Sequence, residues 1–286
     1  MIETFEQYDD LTMLEWLIAA GADEAIGDEP VNRFEAANEV RSTEATPQQA
    51  NQASTFQPQS SLPKSSLPKS TPRPVAPQPV SSTHGAGFEA ATAVANAAST
   101  LEDLKAAMEA FDGGLLKRSA KNTVFADGVA GSDLMVIGEA PGADEDQLGK
   151  PFVGVSGQLL DKMLAAIGRS RETNTYISNI VPWRPLGNRT PDQAIITMCM
   201  PFIKRHIELA KPKVILMLGG VAAKSLLESD DGITRLRGKW RDLTFSGQKY
   251  AAIPTYHPAY LLRQPAQKGM AWRDLLSIKE KLSSDG

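Results

Sequence analysis

Cysteine is almost absent from this 286-residue chain. A single thiol, Cys199, excludes any intrachain disulfide and any all-cysteine metal site within one chain, and it fits a reducing, cytoplasmic setting. Histidine is equally scarce, with three in all, so each one carries weight as a candidate for chemistry. No apolar run approaches the ~18 residues that a membrane span needs, so no membrane association is expected. The N-terminus "MIETFEQYDD" has no basic stretch leading into an apolar core, and no export signal is read there. What is present, 42% hydrophobic and 22% charged residues, suits a soluble globular protein.

Charge is unevenly spread. Residues 1–100 carry 13 Asp/Glu against 5 Lys/Arg, and the remainder 21 against 25. A net charge of −4 therefore conceals a mildly basic C-terminal part, which permits nucleic acid as a partner there.

Three regions follow from composition. Residues 1–40 form an acidic arm in which Leu11, Leu14, Trp16, Leu17 and Ile18 fall at helical spacing, with Gly21 as a stop. That helix either packs on the main domain or docks a protein partner. Residues 41–87 hold a Pro/Ser/Gln-rich segment, with eight prolines between 41 and 80 and "SLPK" twice, and read as a disordered linker. Residues 88–286 alternate helices with apolar strands at "DLMVI", "TYISNIV", "KVILMLGG" and "YAAIPTYHPAY". The helix at 156–168 has Ser156 as expected N-cap. The helix opened by "TPDQ" has Thr190 as cap, Pro191 at its first position and Gln193 closing a capping box. Four strands separated by helices predict a three-layer α/β/α sandwich with a mostly parallel four-stranded sheet. Chemistry in such sheets gathers at the carboxyl ends of strands. A monomer is expected.

Three segments lie at those ends: "GEAPGADEDQLGKPFVG" (138–154), "SNIVPWRPLGNRTP" (178–191) and "HPAYLLRQP" (257–265). The first looks like a phosphate-binding turn, yet its four carboxylates would repel a phosphate. Together the three segments resemble the signature motifs of the uracil-DNA glycosylase superfamily, specifically the family 4 type, over about residues 100–282. The resemblance implies hydrolysis of the N-glycosidic bond of deoxyuridine in DNA, with uracil-containing DNA as partner. The alternative is a non-catalytic or abasic-site-capturing nucleic-acid-binding member of the same superfamily.

It further implies that Phe152 stacks on the extruded base, that Asn179 reads the pyrimidine edge and that His257 donates a hydrogen bond to the developing oxyanion at uracil O2. Relatives carry an aspartate where this chain has Ala140, so Glu139 or the Ala140 carbonyl is expected to handle the attacking water. They also use a tyrosine at the Gly142 position to exclude thymine, a duty assigned here to Glu145. Phosphate contacts are expected from Arg184, Arg189, Arg237, Lys239 and Arg263, with Lys268 extending the basic rim and Leu261 as the wedge entering the vacated stack.

Family 4 resemblance would also bring an iron–sulfur cluster on four cysteines. The matching positions fall near Phe111 and Gly114, at Trp183 and at Cys199, and only the last is a cysteine. No cofactor is therefore expected.

Overall fold

The computed structural model describes residues 83–284. The predicted N-terminal helix and most of the predicted linker lie outside the described residues. A helix, α1, spans Thr83–Ala97, so its first turn falls inside the segment expected as linker.

Leu101–Ala110 (α2) follows, opened by a capping box in which Thr100 accepts from Asp103 N–H and Asp103 accepts from Thr100 N–H. Gly114–Ser119 forms α3. The sheet then alternates with helices: β1 Asp127–Gly128, β2 Leu134–Gly138, α4 Ala143–Leu148, α5 Val155–Ala165, β3 Thr175–Asn179, α6 Gln193–Ala210, β4 Val214–Leu218, α7 Gly219–Leu227, α8 Ile233–Leu236, β5 Arg241–Phe245, β6 Gln248–Thr255, α9 Pro258–Arg263 and α10 Lys268–Ser284.

Strand order is β1-β3-β2-β4-β6-β5. The inner four are parallel, and they are the four predicted from sequence. Two short antiparallel edge strands make six, which corrects the predicted count of four. The cause is plain: β1 is two residues long and β5 alternates exposed with buried positions, so neither produces an apolar run.

Every residue of β2, β3 and β4 is buried, as parallel strands covered on both faces require. Their side chains alternate between two cores. Met135, Ile137, Tyr176, Ile215 and Met217 pack under α1, α2, α6 and α7. Leu134, Val136, Ile177, Leu216 and Leu218 pack under α5, α9 and α10. Ala91 and Ala95, one helical turn apart, give α1 a small-residue stripe.

Two helix starts differ from expectation. Asp192, not Thr190, caps α6, its carboxylate accepting from Ile195 N–H at 2.8 Å, because Pro191 ends the preceding extended segment instead of beginning the helix. Gly154, not Ser156, precedes α5, so that helix begins directly at the end of the first motif.

Parallel register aligns the strand ends. Gly138 pairs with Asn179, and Leu218 with Thr255. The loops leaving β2, β3, β4 and β6 therefore open on one rim.

Candidate functional site

That rim holds a cavity of about 510 Å³ lined by Glu139, Ala140, Pro141, Gly142, Glu145 and Phe152 from the first motif, Asn179, Pro185, Asn188 and Arg189 from the second, and His257, Tyr260 and Arg263 from the third. Gly219 and Gly220, where β4 passes into α7, complete its floor.

The pocket depends on glycine at two close approaches. A Cβ on Gly138 would lie 2.4 Å from Asn179 Oδ1 and 2.5 Å from Phe152 Cζ. Gly219, at φ +87°, would place one 3.0 Å from His257 Cβ. Phe152 is itself in the left-handed region, at φ 54°. A bulky residue held there needs support from its surroundings. Arg171 supplies it, donating to the carbonyls of Pro151 (3.1 Å) and Phe152 (2.7 Å) while pairing with Asp127 at 2.9 Å and Asp161 at 2.8 Å. Sequence reading missed Arg171, since it sits in a polar turn between two elements and carries no motif.

Two of the first motif's four carboxylates accept from backbone N–H groups, one within the motif and one outside it. Glu145 Oε1 accepts from Val153 N–H (2.9 Å) and Gly154 N–H (3.0 Å), and its Oε2 accepts from Gly142 N–H at 3.1 Å. Asp146 Oδ1 accepts from Lys121 N–H at 2.8 Å and Asn122 N–H at 3.1 Å. The acidic turn is thus closed on itself by Glu145 and tied to residues 121–122 by Asp146. Glu139 differs. Its carboxylate has no hydrogen-bond or ion-pair partner among the described residues, and burial raises its pKa. Likewise, no group among the described residues donates to the Ala140 carbonyl.

Asn179 is 5% exposed, and its Oδ1 is buried without a hydrogen-bond partner. An orphaned buried acceptor is costly unless something else fills it. His257 caps α9, and its Nδ1 accepts from Ala259 N–H at 3.1 Å. Burial, with Arg263 adding in the same sense, pushes its pKa down to about 4. A neutral ring whose Nδ1 accepts must carry its proton on Nε2, so the imidazole is a donor through that nitrogen. Its ring lies 5.6 Å from that of Phe152, centroid to centroid.

Behind His257 sits a pair that sequence reading assigned differently. Arg237 does not reach outward: its guanidinium is bound to Asp274, buried at 3% exposure, and lies 5.4 Å over the Tyr256 ring. Asp274 also accepts from Thr255 Oγ1 at 2.5 Å. Arg237 thus pins the end of β6 to α10 and is not available for phosphate. Leu261 is likewise corrected, since it is fully buried beneath α9 in the core under β6. Withdrawing it for use as a wedge would forfeit about 2 kcal/mol of burial. Lys268 is also buried, at the start of α10, which lowers its pKa. Arg189, Lys239 and Arg263 are exposed, and half-buried Arg184 donates to Asn188 Oδ1 at 2.7 Å.

The positions matching cluster ligands do not fit a metal cluster. Phe111 and Trp183 stack at 6.3 Å, and Phe202 meets their edges at 5.1 and 6.5 Å. Lys117 brings an ammonium 5.9 Å from the Trp183 ring and donates to the carbonyls of Phe111 (2.8 Å) and Glu109. The Cys199 thiol is buried, its pKa pushed up to about 12, which keeps it protonated and unfit as a ligand. Aromatic packing fills this volume.

An aromatic face, a buried amide and a neutral imidazole line one cavity at the carboxyl edge of a parallel sheet, in a protein of the α/β class. The chain belongs to the uracil DNA glycosylase superfamily, whose family model matches residues 125–276. It is similar to the type-4 uracil-DNA glycosylase of Saccharolobus solfataricus, at 40% identity over 57% of this chain and 78% of the relative. The proteins of the same description from Pyrobaculum aerophilum and Thermotoga maritima are 38% and 36% identical, over 83% and 85% of their own lengths.

Proposed function

We propose that this protein hydrolyses the N-glycosidic bond of deoxyuridine in DNA, releasing uracil and leaving an abasic site, the opening step of base-excision repair. Asn179 carries the reading: a buried amide with an unpartnered oxygen, sharing its pocket with Phe152 and His257. Its relatives' names point the same way.

The chemistry follows from those groups. A base inside a duplex cannot be reached, so the nucleotide is swung out and its ring laid against Phe152. Uracil N3–H donates to Asn179 Oδ1, and Asn179 Nδ2 donates to O4. Cytosine, an acceptor at N3 and a donor at N4, presents the opposite pattern. Glu145, fixed by three backbone N–H groups, walls the pocket where thymine's methyl would collide, its Oε2 lying where a Cβ on Gly142 would come within 2.7 Å. As the C1′–N1 bond breaks, its electron pair departs with uracil, and the charge reaching O2 meets the Nε2–H of His257. Water adds to C1′, oriented by Glu139 or the Ala140 carbonyl, and Glu139 takes its proton. The carboxylate also suits the cationic sugar that forms. Arg184, Arg189, Lys239 and Arg263 contact the phosphates.

A uracil-containing oligonucleotide incubated with the protein and then treated with alkali tests this. Strand scission at the uracil is the expected result. A mobility shift without scission would instead favour the non-catalytic reading, to which Ala140 lends its support by placing no carboxylate where relatives have one. A DNA adduct surviving denaturation would favour capture of the abasic sugar.

A further inference from the structure

With Leu261 buried, nothing assigned so far can fill the gap that an extruded nucleotide leaves. A duplex does not hold such a gap open, and proteins that unstack bases commonly place an apolar side chain in the step. The loop between β3 and α6 carries one. Leu186 is 75% exposed, the more conspicuous because its neighbours are tightly held. Trp183, fully buried, donates from Nε1 to Thr123 Oγ1 at 2.9 Å. Pro182 O accepts from Val124 N–H at 2.8 Å. Beyond the leucine, Asn188 N–H closes a turn on Pro185 O at 3.0 Å, and Gly187 (φ 66°) and Asn188 (φ 54°) supply the left-handed residues that turn needs. Arg184 braces it through Asn188. Hydrogen bonds on both sides hold the tip, so the path of the backbone is what exposes Leu186.

Its position matters as much as its exposure. Leu186 lies in an apolar cleft of about 360 Å³ with Leu115, Leu116, Pro191 and Ile195. This cleft shares Pro185 and Arg189 with the base pocket as a common wall. Leu115 is 79% exposed, so an apolar shelf borders the pocket mouth instead of a lone surface leucine. Arg189 at that wall is an exposed cation placed to hold the phosphates alongside. On the pocket's other side, Leu262 is 42% exposed beside Arg263, a less prominent competitor.

We propose that Leu186 is the wedge that enters the base stack as the target nucleotide swings into the pocket, with the Leu115 side of the cleft receiving the displaced neighbouring base. This rests on the glycosylase reading. The test uses the full chain with Leu186→Ala, Leu186→Phe and Leu262→Ala. Single-turnover cleavage is measured on a U·A duplex and on the same strand alone, and a 2-aminopurine next to the uracil reports unstacking. Leu186→Ala is expected to slow duplex cleavage at least about tenfold while changing single-strand cleavage less than about twofold, since only the duplex must be held open. Leu186→Phe should retain most of the duplex rate. Equal loss on both substrates, no loss on duplex, a wild type that cleaves single strands alone, or a duplex-selective loss confined to Leu262→Ala would each overturn the proposal. The fluorescence needs no hydrolysis. A wild type that unstacks the reporter but releases no uracil sinks the glycosylase reading, and the wedge then stands or falls on whether Leu186→Ala abolishes the signal.

Discussion

In the proposed chemistry Asn179 makes two hydrogen bonds to the base and His257 one, and their value lies in where charge ends up. Losing one donor aimed at a developing oxyanion costs about 3 kcal/mol, or roughly a hundredfold in rate. Asn179→Ala and His257→Ala should each slow uracil release by that order in single-turnover assays, with thermal unfolding little changed. Wild-type rates in both would overturn the site. Protonation separates Glu139 from His257. The histidine stays neutral down to about 4, whereas burial lifts the Glu139 carboxyl above its ordinary 4.5. If Glu139 takes the water's proton as proposed, the acid limb of kcat/KM is expected to follow Glu139 and not His257. Glu139→Gln should lower the rate and remove that limb. A variant that keeps the wild-type pH profile would assign the water to the Ala140 carbonyl.

Elements decide whether those residues meet. Phe152 occupies a left-handed backbone position that Arg171 holds from another loop. Its guanidinium side chain is 11% exposed and paired with two carboxylates. Asp127 is 17% exposed and Asp161 47%, so losing these part-buried charged hydrogen bonds is expected to cost about 2 kcal/mol. Arg171→Ala should lower stability by that order and weaken kcat/KM at temperatures where the protein remains folded. Arg171→Lys should recover little, having one point charge where the geometry uses a fork. Unchanged activity in the folded Arg171→Ala protein would show that Phe152 keeps its place unaided. The aromatic cluster is a second such device. Trp183→Ala removes a fully buried indole from the loop that leads to the pocket rim, at a cost of about 3–5 kcal/mol. Chelators should leave the wild-type unfolding midpoint unchanged, because hydrophobic packing does not depend on metal. Stoichiometric iron in colourful purified protein would contradict that account.

At the scale of the whole molecule, two buried histidines tie folding to pH. His206 is stacked on Phe125 at 4.3 Å and bonded to Tyr176 Oη at 2.9 Å, and burial pushes its pKa down to about 3. His257 sits at about 4. Both folded values lie below the ordinary 6.5 of the unfolded chain. Their stabilising contribution is thus complete above pH 6.5 and is lost as pH falls through 6.5 toward 4 and 3. Each histidine should cost about 2 kcal/mol between pH 6.5 and 5. The raised carboxyls of Glu139, Asp161 and Asp274 act in the opposite sense, so the difference between wild type and His206→Gln isolates the histidine. Denaturant midpoints at pH 7 and pH 5 measure it. An identical pH slope in the variant would remove His206 from the account.

The sequence by itself determined the four parallel strands, because a strand buried on both faces must be apolar throughout and so leaves an uninterrupted run. It also determined the three motifs and, through Phe152, Asn179 and His257, the centre of the pocket, since parallel strands always deliver their carboxyl ends to one rim. Edge strands escaped it, as half-exposed strands leave no run to read. Only the tertiary structure decided which side chains face outward. "RLRGKWR" reads as four equivalent cations, yet Asp274, thirty-seven residues from Arg237, claims that one arginine. "AYLLR" offers two adjacent leucines, and the turn of α9 buries one while exposing its neighbour. Arg171's hold on Phe152 was equally illegible, because the partners of a charge are set by three-dimensional distance, and adjacency in sequence carries no record of it.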